Sequence, residues 1–282
     1  MIEFFDRYVE GCRNTYSVGT YFSKVEIGRI QVGKLEKETI IFLHGIVGNK
    51  NAFKTEMETL ENRYHCFAYD FYNPANLVDK EFSLEFLVDQ LYSHFIKEKI
   101  EEAHLCTLSF GCIVATAFAK RYPDMVMSMT FVGGYLCNVP SQYHLNVEHV
   151  LGQKEQWEYV KWIDYCASLL NPNSVHLAED SEKIYRDYAL QLEPGTFEQA
   201  LRIQLEFDSS SALAGTQLPV LWVMGEHDEL FKGTLMSLHQ LIPHVEYCEL
   251  NHAGHAAHVH QHAQFMSVFQ SFLKRKLVQL EY

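Results

Sequence analysis

A doubly wound, mostly parallel α/β sheet interrupted by a helical cap is the architecture that this 282-residue chain predicts. Three observations predict it. Short, continuous apolar runs recur along the chain, the pattern of strands buried on both faces. Segments of helical apolar spacing lie between them, and right-handed crossovers turn that alternation into a sheet covered by helices. One stretch, from about Tyr135 to Leu213, keeps the helical spacing but has no convincing strand. Residues 1–134 and 214–282 are therefore assigned to the core, and residues 135–213 to the cap.

Taken in order, Tyr21–Val32 mixes β-branched, aromatic and polar residues, is punctuated by Gly28 and Gly33, and reads as one or two edge strands. Thr39–Leu43 (TIIFL) is the first buried run and leads into His44-Gly45. His65–Tyr69, His104–Leu108, Met127–Val132, Pro219–Met224 and Val245–Leu250 follow. Between them, Ser83–Lys99 sets Leu84, Leu87, Val88, Leu91 and Phe95 on one face behind a Ser83 N-cap. Phe110–Arg121 is apolar and closes on Lys120 and Arg121, which suit the negative end of the helix dipole. Gly233–Leu241 and Ala263–Leu277 also read as helices. In the cap, Glu155–Leu170 stops at Asn171-Pro172-Asn173, Asp180–Leu192 is ended by Pro194, and Thr196–Phe207 opens on a Thr196/Gln199 capping box. The cap aromatics are Tyr143, Trp157, Tyr159, Trp162, Tyr165, Tyr185, Tyr188, Phe197 and Phe207. Most are expected to glue the cap to the core, and a few to face an apolar cavity between the two.

Composition narrows the function. The chain is 48% hydrophobic and 21% charged, with a formal net charge of −13. Such a surface repels phosphate backbones and anionic lipid, and no dense Lys/Arg stripe reverses this, so nucleic-acid binding is not expected. No uninterrupted apolar stretch is long enough for a membrane span. Met1–Gly11 carries acids early and lacks a basic region followed by an apolar run, unlike a signal peptide. Seven scattered cysteines with no CxxC pair suit reduced, mostly buried thiols in a cytoplasmic protein.

Four segments carry chemistry. Thr107-Leu-Ser109-Phe-Gly111 lies between an apolar strand and an apolar helix, the setting of a nucleophile elbow. Thr107 departs from the usual Gly, and the competing role for Ser109 is a helix N-cap. A serine hydroxyl needs a base to take its proton, and an acid and a histidine are sought downstream, in that order. Asp228 follows the Pro219–Met224 strand, at the sheet edge where open parallel sheets place their sites; a turn or N-cap role is the commoner fate of a loop Asp. Glu226 and Glu229 compete with it. His255 follows the last strand in a His-rich stretch with His252, His258, His260 and His262. The spacing of His255 and His258 would suit a metal, but no carboxylate or Cys ligand set accompanies it, so no metal or cofactor is expected. His260 and His262 are read as solvated helix residues. The loop after Leu43 holds Gly45 and Gly48, which let it bend toward a reacting carbonyl. The Ile46 N–H there and the Phe110 N–H at the elbow are the candidate oxyanion donors; on the competing reading, His44-Gly45 merely ends a strand.

Together Leu43-His-Gly-Ile-Val-Gly48, Thr107–Gly111, Gly225-Glu-His-Asp228 and Ala253-Gly-His-Ala-Ala-His258 resemble the α/β-hydrolase superfamily, and within it the lidded branch of small esterases, lactonases and C–C bond hydrolases. The resemblance implies the α/β-hydrolase fold, a triad of Ser109, His255 and Asp228, and an oxyanion hole from Ile46 and Phe110. Serine at the nucleophile position separates the chain from relatives that use Asp there. The segment after Asp70 (Phe-Tyr-Asn-Pro-Ala-Asn) departs from the family's Gly- and Ser-containing turn and implies a rebuilt loop.

The expected activity is hydrolysis of a small, apolar ester-type substrate through an acyl-enzyme. A ligand-sensing or regulatory protein with little turnover and a C–C bond hydrolase are the competing readings. The sequence does not specify the substrate or the oligomeric state.

Overall fold

The computed structural model describes residues 37–72 and 81–279. The edge strands expected at Tyr21–Val32, the Met1–Gly11 segment and Cys12 lie outside the described residues.

Six parallel strands form the sheet in the order β2-β1-β3-β4-β5-β6. They are β1 (Thr39–Leu43), β2 (His65–Tyr69), β3 (Ala103–Leu108), β4 (Val126–Val132), β5 (Val220–Gly225) and β6 (Glu246–Leu250). The inner strands β1, β3, β4 and β5 are nearly wholly buried because the sheet is covered on both sides, while the edge strands β2 and β6 are only partly so. Ile40 and Phe42 point to one face, with Cys106, Leu221, Val223, Phe265 and Phe269. Ile41 and Leu43 point to the other, with Leu87, Leu105, Val114 and Phe118. The chain runs outward from β1 to β2 and then crosses back to β3 on β1's other side. The order therefore reverses between β1 and β3, and such a switch point opens a crevice at the carboxyl ends of the strands.

The core helices are α1 (Lys54–Leu60), α2 (Leu84–Glu98), α3 (Gly111–Arg121), α9 (Glu229–Lys232), α10 (Leu238–Leu241), α11 (Ala257–His260) and α12 (His262–Gln279). Ser83 caps α2 by accepting the Phe86 N–H at 3.2 Å. Of the helix expected at Gly233–Leu241 only Leu238–Leu241 (α10) forms; α9 precedes Gly233. Gly233 closes α9, and the Thr234 hydroxyl donates back to the Phe231 carbonyl at 2.8 Å, competing with helix continuation.

Between β4 and β5 lie α4 (Gln142–Gln153), α5 (Tyr159–Leu170), α6 (Ser181–Ala189), α7 (Pro194–Glu206) and α8 (Ser209–Leu213), with no strand among them. Helix α4 was not expected: it buries only Tyr143, Val147 and Val150, too thin a stripe to stand out from its polar residues. Helix α5 starts later than Glu155, because Lys154–Gln156 forms a separate 3₁₀ turn and Trp157 is extended. Pro194 does not end α6; it opens α7, where a missing N–H costs nothing. Glu193 is the N-cap of α7 and the Thr196/Gln199 box does not form. The Trp162 indole donates to the Val150 carbonyl at 2.7 Å and joins α5 to α4.

Among the described residues, all six cysteines are free, with Cys106, Cys112, Cys137 and Cys166 buried and Cys66 and Cys248 partly so. No described helix is long and apolar enough to cross a membrane.

Candidate active site

Ser109 sits between the end of β3 and the start of α3 with φ of 48°. That left-handed backbone costs about 1–2 kcal/mol for a non-glycine residue. It is held by the Ser109 N–H donating to the Val132 carbonyl (2.9 Å) and the Cys112 N–H donating to the Ser109 carbonyl (2.8 Å). At Gly111 a Cβ would fall 2.7 Å from the Leu43 carbonyl oxygen and 2.9 Å from that of His44, so only glycine lets α3 start against the end of β1. Thr107 is tolerated because it lies inside β3, paired with Leu43 and Phe131, where a β-branched residue fits. The strain falls two residues later. What Thr107 loses is a partner for its buried hydroxyl. The N-cap of α3 is Phe110, without a side-chain capping bond, so Ser109 is not spent on that role.

The β1 loop approaches the elbow. Its Gly48 N–H donates to the Gly45 carbonyl at 3.0 Å. His44, buried behind it, donates from Nδ1 to the Gly45 carbonyl (2.7 Å) and accepts the Phe71 N–H at Nε2 (3.0 Å). The Tyr72 hydroxyl donates to the Ile46 carbonyl. These bonds set the plane of the peptides on either side of Ile46. Among the described residues, neither the Ile46 N–H nor the Phe110 N–H has an acceptor. The segment after Asp70 is thus rebuilt, and Phe71 and Tyr72 take a role that a single feature of the sequence marks. The signal was two aromatic residues in place of small ones.

The loops after β5 and β6 are stitched together. Glu226 N–H donates to the Leu250 carbonyl (2.9 Å) and His227 N–H to that of Ala253 (2.8 Å). A Cβ on Gly225 would lie 2.2 Å from the Gly254 carbonyl oxygen, so this approach also needs glycine. The pairing brings His255 Nδ1 to 3.0 Å from Asp228 Oδ2, with the carboxylate only 4% exposed. Asp228 stands at the head of α9, but its side chain makes no capping bond. The rival acids are committed elsewhere: Glu226 accepts the His252 N–H (2.8 Å), and Glu229, 81% exposed, pairs with Lys232 (2.9 Å). The Phe231 ring stacks on the His255 imidazole, centroids 3.9 Å apart and planes 20° off parallel.

Ser109, Ile46, Asp228 and His255 all line one cavity of about 410 Å³ beneath the β4–β5 helices. No Ser109–His255 hydrogen bond forms among the described residues; in ligand-free enzymes such bonds often tighten only with substrate. Of the nine aromatics singled out, Tyr143, Tyr185 and Tyr188 reach this cavity. Burial pushes the Tyr143 and Tyr185 phenols well up, and Tyr143 donates to Gln204 Oε1. Trp162 and Phe197 pack on each other inside the helical layer, and Trp157 stacks on Tyr165 at its exposed side. Among the described residues no Lys or Arg lines the cavity.

Of the other histidines in the 252–262 stretch, His258, His260 and His262 are drawn into the protein, while His252 is exposed. His258 is fully buried, donates from Nε2 to the Ala52 carbonyl (3.0 Å) and stacks on Phe53; burial pushes its pKa down to about 4. His260 accepts the Gly254 N–H (3.0 Å) and faces Glu179 at 3.1 Å, and His262 pairs with Glu56 at 2.9 Å. Acids from distant segments draw both inward, which the local sequence does not reveal.

A profile of the alpha/beta hydrolase fold family matches residues 38–260. A Bacillus subtilis (strain 168) protein provisionally named 2-succinyl-6-hydroxy-2,4-cyclohexadiene-1-carboxylate synthase is 22% identical over 258 residues, covering 86% of this chain and 92% of its own length. A pimeloyl-[acyl-carrier protein] methyl ester esterase of Aeromonas hydrophila subsp. hydrophila is 23% identical over 83% of this chain and 94% of its own. Among solved structures, a hydrolase from Oleispira antarctica superposes with a TM-score of 0.72 at 16% identity, covering 84% of this chain and 91% of that one.

Proposed function

The chain belongs to the α/β-hydrolase family, and on that premise we propose that it is a serine hydrolase cleaving a small, apolar, ester-type substrate (a carboxylic ester, lactone or thioester) in the cytoplasm. The observation that carries this reading is the Asp228–His255 pair opening onto the same cavity as Ser109. Residues 135–213 act as the cap.

In the first step the Ser109 hydroxyl attacks the carbonyl carbon as His255 Nε2 takes its proton. The carbonyl oxygen becomes an oxyanion that accepts from the Ile46 and Phe110 N–H groups, both free of other acceptors among the described residues. Asp228 holds Nδ1–H and offsets the charge of the imidazolium. Collapse of the intermediate expels the alcohol or thiol, which receives the proton from His255, and leaves an acyl–Ser109 ester. Water then repeats the sequence: His255 removes its proton, the hydroxyl adds to the acyl carbon, and Ser109 leaves with the proton returned. The acid is released and the enzyme regenerated.

The cavity wall supports the substrate class. Its acids, Asp228, Glu229 and Glu179, are joined by no Lys or Arg lining the cavity among the described residues, while Ile46, Leu108, Leu170 and Tyr185 supply apolar surface. A carboxylate on the acyl group would meet no cation there, so the acyl portion is neutral. The test is Ser109→Ala assayed on p-nitrophenyl esters of short neutral acids. Hydrolysis should fall on the order of 10⁴- to 10⁶-fold with the fold intact. Unchanged turnover would overturn the assignment, and covalent labelling of Ser109 by a fluorophosphonate without turnover of any ester would favour a sensing role instead.

A further inference from the structure

The loops that carry Asp228 and His255 hold a second group of polar side chains that the acyl-transfer reading does not use. The Glu226 carboxylate and the His227 and His252 rings turn toward one another, each offering one ligand atom, and these atoms all lie within 4.8 Å of one another. Glu226 Oε2 is 3.6 Å from His227 Nε2 and 4.0 Å from His252 Nδ1. Around a tetrahedral zinc ion at about 2.0–2.2 Å, neighbouring ligand atoms stand about 3.3–3.6 Å apart, so the Glu226–His227 pair is already at that spacing and closing the rest by up to about 1.5 Å supplies three of the four ligands.

The backbone beneath is already fixed. The bonds from Glu226 N–H to Leu250 and from His227 N–H to Ala253 hold the two loops in register, and the His252 N–H donates to Glu226 Oε2 at 2.8 Å. His176, from the segment between α5 and α6, stacks on His227 with centroids 4.5 Å apart and restrains that ring. The nearby cation, Lys232, is neutralised by Glu229 (2.9 Å) and Glu249 (3.3 Å). His252 is 82% exposed along its side chain, which leaves the cluster open to an ion from solution.

We propose that Glu226, His227 and His252 form a binding site for a divalent transition-metal ion of the zinc type, with water completing its coordination. One carboxylate and two imidazoles suit borderline ions such as Zn²⁺ and Co²⁺, whereas Mg²⁺ and Ca²⁺ call for an all-oxygen shell. His227 also lines the cavity, so a bound ion sits at its rim and pins together the loops holding Asp228 and His255. The sequence does not reveal this site, because Glu226 and His227 lie in a different loop from His252 and no local ligand spacing joins them.

The test is calorimetric titration of the tag-free, chelator-treated full chain with Zn²⁺, alongside Glu226→Gln and His252→Ala. One saturating event per chain is expected, weakened at least about tenfold in each variant. With Co²⁺ in place of Zn²⁺, visible d–d bands should appear in the wild type and be lost in both variants, and circular dichroism verifies their fold. Replacing the exposed His239 with Ala should leave binding as it is. Absence of saturable Zn²⁺ binding, or equal binding in Glu226→Gln and His252→Ala, would overturn the proposal whether or not the chain hydrolyses esters.

Discussion

Replacing Asp228 with Asn probes the proposed site with almost no change of shape. The side chain is 4% exposed and stands 3.0 Å from His255 Nδ1. When His255 takes the serine proton, its positive charge forms beside this carboxylate. At about 4 Å between charge centres and an effective dielectric of about 20, the attraction is worth about 4 kcal/mol. Lost from the transition state alone, that corresponds to about 10³ in rate. The amide adds a second penalty: if its NH₂ faces Nδ1, the ring proton moves to Nε2, the atom that must accept from Ser109, and the loss grows toward about 10⁴. The assay is steady-state hydrolysis of a short p-nitrophenyl ester above neutral pH, with Glu229→Gln as the comparison. The expected result is a fall in kcat of about 10³- to 10⁴-fold for Asp228→Asn with KM little changed, and a change within a few-fold for Glu229→Gln. A loss below about tenfold in Asp228→Asn would refute the assignment of the acid.

Three further outcomes test the surroundings. His258 has its pKa pushed to about 4 in the fold against 6.5 as the reference value. The unfolded chain therefore takes up a proton that the fold refuses. This cost is absent above 6.5, grows as pH falls, and saturates near 4 at about 3 kcal/mol. Urea midpoints across that range should fall more steeply in the wild type than in His258→Phe, whose ring keeps the stacking on Phe53; parallel slopes would contradict the burial argument. Thr107→Val removes a buried hydroxyl without a partner and keeps its shape, so it should raise stability by about 1 kcal/mol, read from the denaturant midpoint. Gly111→Ala places a Cβ 2.7 Å from the Leu43 carbonyl oxygen; it should cost about 1–3 kcal/mol and lower kcat with it, since the elbow must move.

What was legible in the sequence is what short-range pattern dictates. The four inner strands, β1, β3, β4 and β5, were legible because burial on both faces demands unbroken apolar sequence, whereas the edge strands β2 and β6 are only partly buried. The spacing of Ser109, Asp228 and His255 behind their strands places them on one cavity because strand ends share an edge of the sheet. What was illegible depends on partners far along the chain. His260 and His262 read locally as solvated, but Glu179 and Glu56 bind them from other elements. Helix α4 buries only three apolar residues, packed against α5 and α7, so its own pattern is faint. The Glu226–His227–His252 cluster spans two loops, and no window of the sequence contains it. Thr107 shows the reverse case: it reads as a defect of the elbow motif, yet strand pairing absorbs it.

Three unfavourable features of this molecule stand near the carboxyl end of the sheet. Ser109 holds a left-handed backbone, Thr107 buries a hydroxyl without a partner, and His258 is kept neutral in the interior one turn beyond His255. Each costs on the order of 1–3 kcal/mol. Such features also occur elsewhere: Lys99 and Asn138 hold left-handed backbones, and Gln90, His94 and Tyr159 bury side-chain atoms without a partner among the described residues. Local violations of this kind persist when the surrounding structure over-determines them, and here two apolar faces and the stitched β5 and β6 loops do so. The combination at Ser109, rather than strain as such, favours a preorganised catalytic crevice over a passive binding fold. A site that only held a ligand would gain nothing from a strained serine with two unengaged amides beside it. A site that must stabilise an oxyanion as it forms needs them fixed before the substrate arrives.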